Sequence, residues 1–450
     1  MGSNRGAVSR PHSVCPAAAP AVGEDGAMNR RALGLTGCLA VIALSLVGAC
    51  TEAPAQVGRT PAPSTMPATA SPTAPATSSP TLTSPPLPAE STPAGATASS
   101  SSSEPIVLPT ANPPDGRMTL ATKILGHLDE KSVVASGTGL FFAQNMMYLH
   151  TINVYDRHYK LLKIIPDAVK LADFGYPQYP GTYKGAPVEA AFTPDGKSAY
   201  VSNYSMYGAA PFDREGSDTC KLSDHYPNSF IYRINTSSLS IDQVIEVGAV
   251  PKYVAVTPNG KYVLVSNWCS YSESIIDAAS GKELTQLPLG AFPRGIAVDP
   301  TSRTAYVAVM GSTRIAAIDL STFAISWITG VGSAPRHLVM SPDGHWLYAT
   351  INGDGVVDKI DLTRRTVVAR VATGRAPRSM TISPEGSYIY VVNYLSNTMS
   401  KVRTTDMRVV QDVDTFDHPI GITYDDATNR IWVACYSGAI MVFDDGTTKR

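Results

Sequence analysis

VPKYVAVTPNGKYVLVSN, running from Val250 to Asn267, is one of five near-copies of a single pattern. FPRGIAVDPTSRTAYVAV follows from Phe292, APRHLVMSPDGHWLYAT from Ala334, APRSMTISPEGSYIYVVN from Ala376 and HPIGITYDDATNRIWVAC from His418. Pro251, Pro293, Pro335, Pro377 and Pro419 therefore stand 42 residues apart. A period of that size with no helical pattern inside it predicts a stacked or circular array of small β-units rather than a conventional core.

One copy shows how each unit is built. GIAVDP from 295, TAYVAVM from 304, RIAAIDL from 314 and FAISWITG from 323 are four short β runs. Turn signals separate such runs in other copies, as Pro-Asn-Gly does at 258–260 and Pro-Asp-Gly at 342–344. The Asp that recurs at the end of the third run (Asp277, Asp319, Asp361) reads as a turn cap. Four antiparallel strands per 42 residues is the size of a propeller blade.

Marking the end of the second strand in each copy gives Asn145, Asn203, Asn267, Val309, Ile351, Asn393 and Cys435, hence seven blades and an all-β seven-bladed propeller. The last copy ends after its third strand, AIMVFDD, while MTLATKILG at 118–126 looks like a fourth strand without a blade. That N-terminal strand is expected to complete the last blade and remove the open edges of an unclosed ring.

The totals divide the 450 residues into three parts. Residues 1–49 hold an upstream extension and a signal peptide: Met28 starts an n-region with Arg30 and Arg31, and Ala32 to Leu46 is an apolar stretch too short to span a bilayer. Residues 50–116 are almost entirely Pro, Ala, Ser and Thr, a composition that cannot bury enough apolar surface to offset its ordering entropy, so they read as a disordered tether. The propeller occupies 117–450. With 36 basic and 37 acidic residues, bulk charge favours neither nucleic acid nor an anionic membrane surface. The 21 tyrosines read as suited to exposed strands and loop platforms.

Two resemblances sharpen this. Leu46-Val47-Gly48-Ala49-Cys50 resembles the bacterial lipobox, which implies lipidation of Cys50, export and a cell-membrane anchor on the extracytoplasmic face. The strand ends YVSN (200–203), LVSN (264–267) and YVVN (390–393), each preceded by the proline-led strand, resemble the YVTN-repeat propellers of the surface-layer and YncE-like family across about 330 residues. That family implies an extracellular or periplasmic binding module, with nucleic acid as a partner by analogy alone.

Departures from the period point to candidate sites. Asn145 to Pro187 spans 42 residues where 26 is the rule, and Asn203 to Asn235 spans 32 where 10 is the rule. In a meander both insertions fall on one face, in neighbouring blades, which nominates that face for a protein, glycan or anionic partner, with Tyr204, Tyr207, Asp213, Arg214, Tyr226 and Trp268 as its candidate residues. The residue after the repeat proline is Lys252, Arg294, Arg336 and Arg378, with Lys131 at the like position of blade one. These five are expected to ring the channel mouth as an anion site. Of the cysteines that survive processing, Cys220 and Cys269 fall on the same face and are expected to form a disulfide, leaving Cys435 a buried thiol.

No nucleophile motif, zinc spacing or phosphate loop appears, and Asp213, Glu215, Asp218, Asp224 and His225 match no calcium loop. The expectation is a binding module without catalysis, metal or cofactor. The alternative is a propeller-type hydrolase or lyase: Pro335-Arg336-His337 resembles the PRH motif of lactonases related to 6-phosphogluconolactonase, although His337 otherwise reads as an ordinary strand residue.

Overall fold

The structure, a computed structural model, describes residues 115–126 and 128–447. The signal peptide, Cys50 and nearly all of the tether lie outside those residues. The described part contains seven four-stranded antiparallel sheets. Blade four runs Pro293–Val298, Thr304–Val309, Arg314–Asp319 and Ile325–Thr329 from the channel outward, close to the strands read from the repeat. In blade seven Thr119–Leu125 pairs antiparallel with Ala439–Asp444, so strands from the two ends of the domain share one sheet and close the ring.

The core lies between blades. A blade is apolar on both faces, and each face is covered by its neighbour, as where Phe141 of blade one stacks on Trp432 of blade seven at 3.9 Å. The turn caps form as expected: Asp319 Oδ1 accepts the N–H groups of Ser321 and Thr322, both at 2.9 Å. The tyrosines depart from expectation. Tyr183, Tyr200, Tyr232, Tyr348, Tyr388 and Tyr390 are fully buried, because each ring adds core area while its hydroxyl can reach a partner. Tyr388, for example, donates to Asp115 at 2.9 Å.

The repeat also has a backbone reason. In blades three to seven the residue before the proline (Val250, Phe292, Ala334, Ala376, His418) takes a left-handed conformation, with φ between 53° and 65°. Its carbonyl then accepts the N–H of the residue just past the second strand, as Phe292 does from Met310 at 2.8 Å. The pairing register shifts immediately after the proline, a bulge that sets the next side chain beside that same residue. The position after the proline is therefore held at the top of the blade and does not line the channel wall.

The two insertions fold onto each other. The first carries a short pairing of Ala168–Val169 with Tyr183–Lys184, and a bridge from Lys184 to Tyr207 joins it to the second. Val169, Leu171, Tyr183, Met206, Phe212 and Phe230 form one apolar cluster under them. The Cys220–Cys269 disulfide staples the second insertion to blade three, and Cys435 is a buried free thiol.

Candidate functional site

The channel wall is set by the residue two past each repeat proline. Around the ring these are Ser132, Glu189, Tyr253, Gly295, His337, Ser379 and Gly421. Two of them are glycine, for steric reasons. A Cβ on Gly295 would sit 2.7 Å from the Arg336 carbonyl oxygen, and one on Gly421 would sit 2.6 Å from Ser132 Cα. Blade four thus contributes no side chain at this level, and Tyr253 of blade three reaches past it to His337 of blade five, with 2.9 Å between Tyr253 Oη and His337 Nε2. On the other side the small Ser379 and Gly421 leave a cavity of about 200 Å³, whose polar lining includes Glu189, Tyr253, His337, Ser379, Thr381 and Thr423.

Several of those groups are already committed. Ser379 Oγ donates to the Ile420 carbonyl at 2.7 Å, and Thr423 Oγ1 accepts the Ala135 N–H at 3.1 Å. His337 Nδ1 receives the Met380 N–H at 3.4 Å. Burial, reinforced by the Arg294 and Arg336 charges, pushes the His337 pKa down to about 3, so the ring is neutral at ordinary pH. Glu189 faces the cavity from the opposite wall. Burial pushes its carboxyl up to about 7, against the opposing pull of the Ser132 hydroxyl, the Ala190 backbone, Arg294 and Lys131. A carboxyl poised there can hold or release a proton near neutral pH.

The five basic residues sit above this wall as a collar, each at least 92% buried. Lys131 Nζ donates to Tyr436 Oη at 2.6 Å, Arg378 lies 3.5 Å above the Tyr394 ring, and Arg336 approaches Met310 Sδ at 3.7 Å. Lys252 pairs with Asp218 and lies over the Trp268 and Tyr204 rings. Arg294 differs from the other four. Its guanidinium approaches Trp268 at 5.7 Å, no hydrogen-bond acceptor among the described residues is in reach of it, and its charge is felt by both Glu189 and His337.

The loop-face residues divide into two groups. Tyr204 and Trp268 are buried beneath the collar; Asp213 and Arg214 are exposed, and Arg214 stacks on Tyr226 at 3.9 Å. Tyr207 donates to Glu215 at 2.9 Å, and Asp224 receives the Lys221 N–H at 2.8 Å. Reading the basic position missed Glu189 and Tyr253, and reached His337 only through the lactonase-like motif. Their signal was the next column of the repeat, which keeps no residue type from blade to blade. His337, expected to be an ordinary strand residue, is instead a cavity wall.

A family model described as Cytochrome D1 heme domain matches residues 305–436. Among solved structures the chain is similar to Kuenenia stuttgartiensis Hydrazine Synthase, at 18% identity and a TM-score of 0.56, covering 72% of this chain and 97% of that one. No curated protein matches. These comparisons place the chain among β-propellers. They also correct the expectation of a module without catalysis or cofactor, because the matching family model is a heme domain and the similar structure is a synthase by name.

The group implied by the family match is heme, and the channel residues do not fit it. The cavity of about 200 Å³ is smaller than the roughly 300–1,000 Å³ of ordinary ligand pockets. His337, the histidine in its lining, has a hydrogen-bond partner at each ring nitrogen, and Met380 turns into the apolar core between blades.

Proposed function

We propose that this chain is an exported, membrane-tethered propeller that takes a small anionic molecule, such as a short carboxylate, into its central channel and exchanges a proton with it. One observation carries this reading: the Arg294 guanidinium, without an acceptor among the described residues, is near enough for its charge to act on both Glu189 and His337, which wall the polar cavity. A buried guanidinium gains most from a charge-assisted pair, and the cavity's size favours a compact ligand. Neutral His337, held by Tyr253 and the Met380 N–H, walls the cavity without adding charge. Protonated Glu189 would not repel an anion, and its proton is the one placed to move.

In a panel of two- to six-carbon (~C2–C6) carboxylates and hydroxy acids screened by thermal shift, at least one is expected to stabilise the wild type. Arg294→Met should weaken it by about 10- to 100-fold, the worth of one charge-assisted hydrogen bond. Binding that survives Arg294→Met unchanged would overturn the assignment. The lactonase-type alternative has His337 in the wall on its side. Arg336 lies against Met310 in the collar, and its charge is felt at His337.

The YVTN-type strand ends support the narrower family reading, and the basic n-region, apolar stretch and Cys50 support the tether. Cys50→Ser is expected to move the protein from the detergent phase to the aqueous phase on Triton X-114 partition. Retention of the variant with the membrane would argue for another anchor.

A further inference from the structure

The connection from blade one to blade two carries a carboxylate where the repeat carries none. Asp167 follows the last residue of its outer strand, Pro166, and its N–H donates to His150 O at 3.1 Å. The same turn places Leu289 after Pro288 and Thr373 after Ala372, with N–H groups bonded to Tyr271 O and Gly355 O. Asp167 is 1% exposed, and the Tyr232 hydroxyl is the donor that stands beside its two otherwise unbonded carboxylate oxygens. That hydroxyl also reaches Met206 Sδ at 3.6 Å, so it is shared between the sulfur and the carboxyl.

A second oxygen from another element faces the same spot. Asn203, fully buried at the end of Ser198–Asn203, donates its amide to Phe230 O at 3.2 Å, and its Oδ1 has no partner. Gly185 leaves the hollow open: a Cβ there would lie 2.4 Å from Asn203 Oδ1 and 2.6 Å from Asp167 Oδ1. Asn267 and Asn393 have the same unpaired Oδ1 in their own blades, but blade two adds a carboxylate. Three buried oxygens with the Tyr232 hydroxyl as their neighbouring donor make an electronegative hollow, and a buried carboxylate with so few donors is costly.

We propose that Asp167 Oδ1 and Oδ2 with Asn203 Oδ1 hold a hard cation, Ca²⁺ or Na⁺, beneath the first insertion. An all-oxygen donor set selects that class over transition metals. Among the described residues no three His, Cys, Asp or Glu side chains converge, so one carboxylate and one amide are the protein's side-chain ligands and water completes the shell. Because Gly185 and Tyr183 belong to the strand pairing of the first insertion, the ion would pin that insertion to blade two.

The purified domain is stripped with chelator, and its melting is followed in choline chloride, in NaCl at equal ionic strength, and with millimolar Ca²⁺. One of the two ions is expected to raise Tm by about 5 °C at a hundredfold excess over Kd, and to do so without effect on Asp167→Asn. The arm that responds identifies the ion. If the variant will not fold, tyrosine-sensitised Tb³⁺ luminescence of the wild type, displaced by Ca²⁺, reads the same site. Equal melting in all three media, or an equal ion response in Asp167→Asn, overturns the site and leaves Asp167 as a protonated acid bonded to Asn203.

Discussion

Lys401→Met is expected to destabilise the domain by about 3–5 kcal/mol and to free its N-terminal strand for proteolysis. Lys401 and Asp445 are an ion pair with both side chains fully buried, 2.7 Å apart. The ammonium also donates to the Gly116 carbonyl at 2.9 Å and the Asp445 carbonyl at 3.0 Å, and lies 4.3 Å from the Tyr388 ring. One lysine of blade six therefore grips the chain just before Thr119–Leu125 and just after Ala439–Asp444, the two strands whose pairing closes the ring. Methionine fills the space but leaves the Asp445 charge to the hydroxyls of Tyr390, Tyr424 and Thr447.

Breaking a buried pair costs far more than removing both charges, so Lys401→Met with Asp445→Asn should recover part of the loss. Urea unfolding measures the total, and limited proteolysis followed by N-terminal sequencing locates the opening. A loss under 1 kcal/mol (the ~0–1 range of exposed pairs), or first cleavage away from 117–126, would show that blade seven is closed by strand pairing alone.

The scaffold was legible because five prolines keep their interval, and that interval reports a backbone requirement: a left-handed residue, a proline and a bulge. The closing strand and the disulfide followed from counting against it. The channel wall was not legible from the same regularity. The bulge takes the conserved basic position out of the wall, and the wall residues vary because each meets a different gap. Gly295 exists so that the strands bearing Gly295 and His337 can approach, and Tyr253 and His337 meet only because Gly295 is small. Such a dependence spans three blades and leaves no local spacing to read. The tyrosine-rich insertions misled for a related reason: their rings serve the cluster at Tyr183 and Phe212, and composition alone does not tell that use from an exposed platform.

Stability should fall as pH rises from about 4.5 to 8, the reverse of ordinary acid denaturation. Glu130 stands where the other blades have proline, is fully buried, and has only backbone contacts near its carboxylate oxygens. Burial pushes its pKa up to about 8, with backbone contacts at Glu130 and Cys435 opposing and Asp129 adding. An acid whose folded pKa lies above its unfolded value is protonated in both states below about 4.5. The folded state then holds the extra proton up to about pH 8, so stability declines across that window and levels off above it.

Glu189, with a folded pKa of about 7, acts in the same direction over a shorter range. His337 opposes both: its folded pKa of about 3 means that the unfolded state holds more protons up to about 6.5, so its contribution rises with pH and then ends. The decline should therefore be steepest between about 6.5 and 7, where both glutamates act unopposed. Glu130→Gln removes one of the larger contributors, alongside the buried Glu273 and Asp167 whose carboxyls are raised by burial in the same direction, and should stabilise the protein at pH 8, by on the order of 4 kcal/mol, with little change at pH 4.5. Urea unfolding at half-unit steps of pH reads both curves. A wild-type profile flat from pH 5 to 8, or a variant profile parallel to it, would mean that Glu130 ionises in the folded protein without penalty, which a carboxylate held by backbone contacts alone in a dry interior should not do.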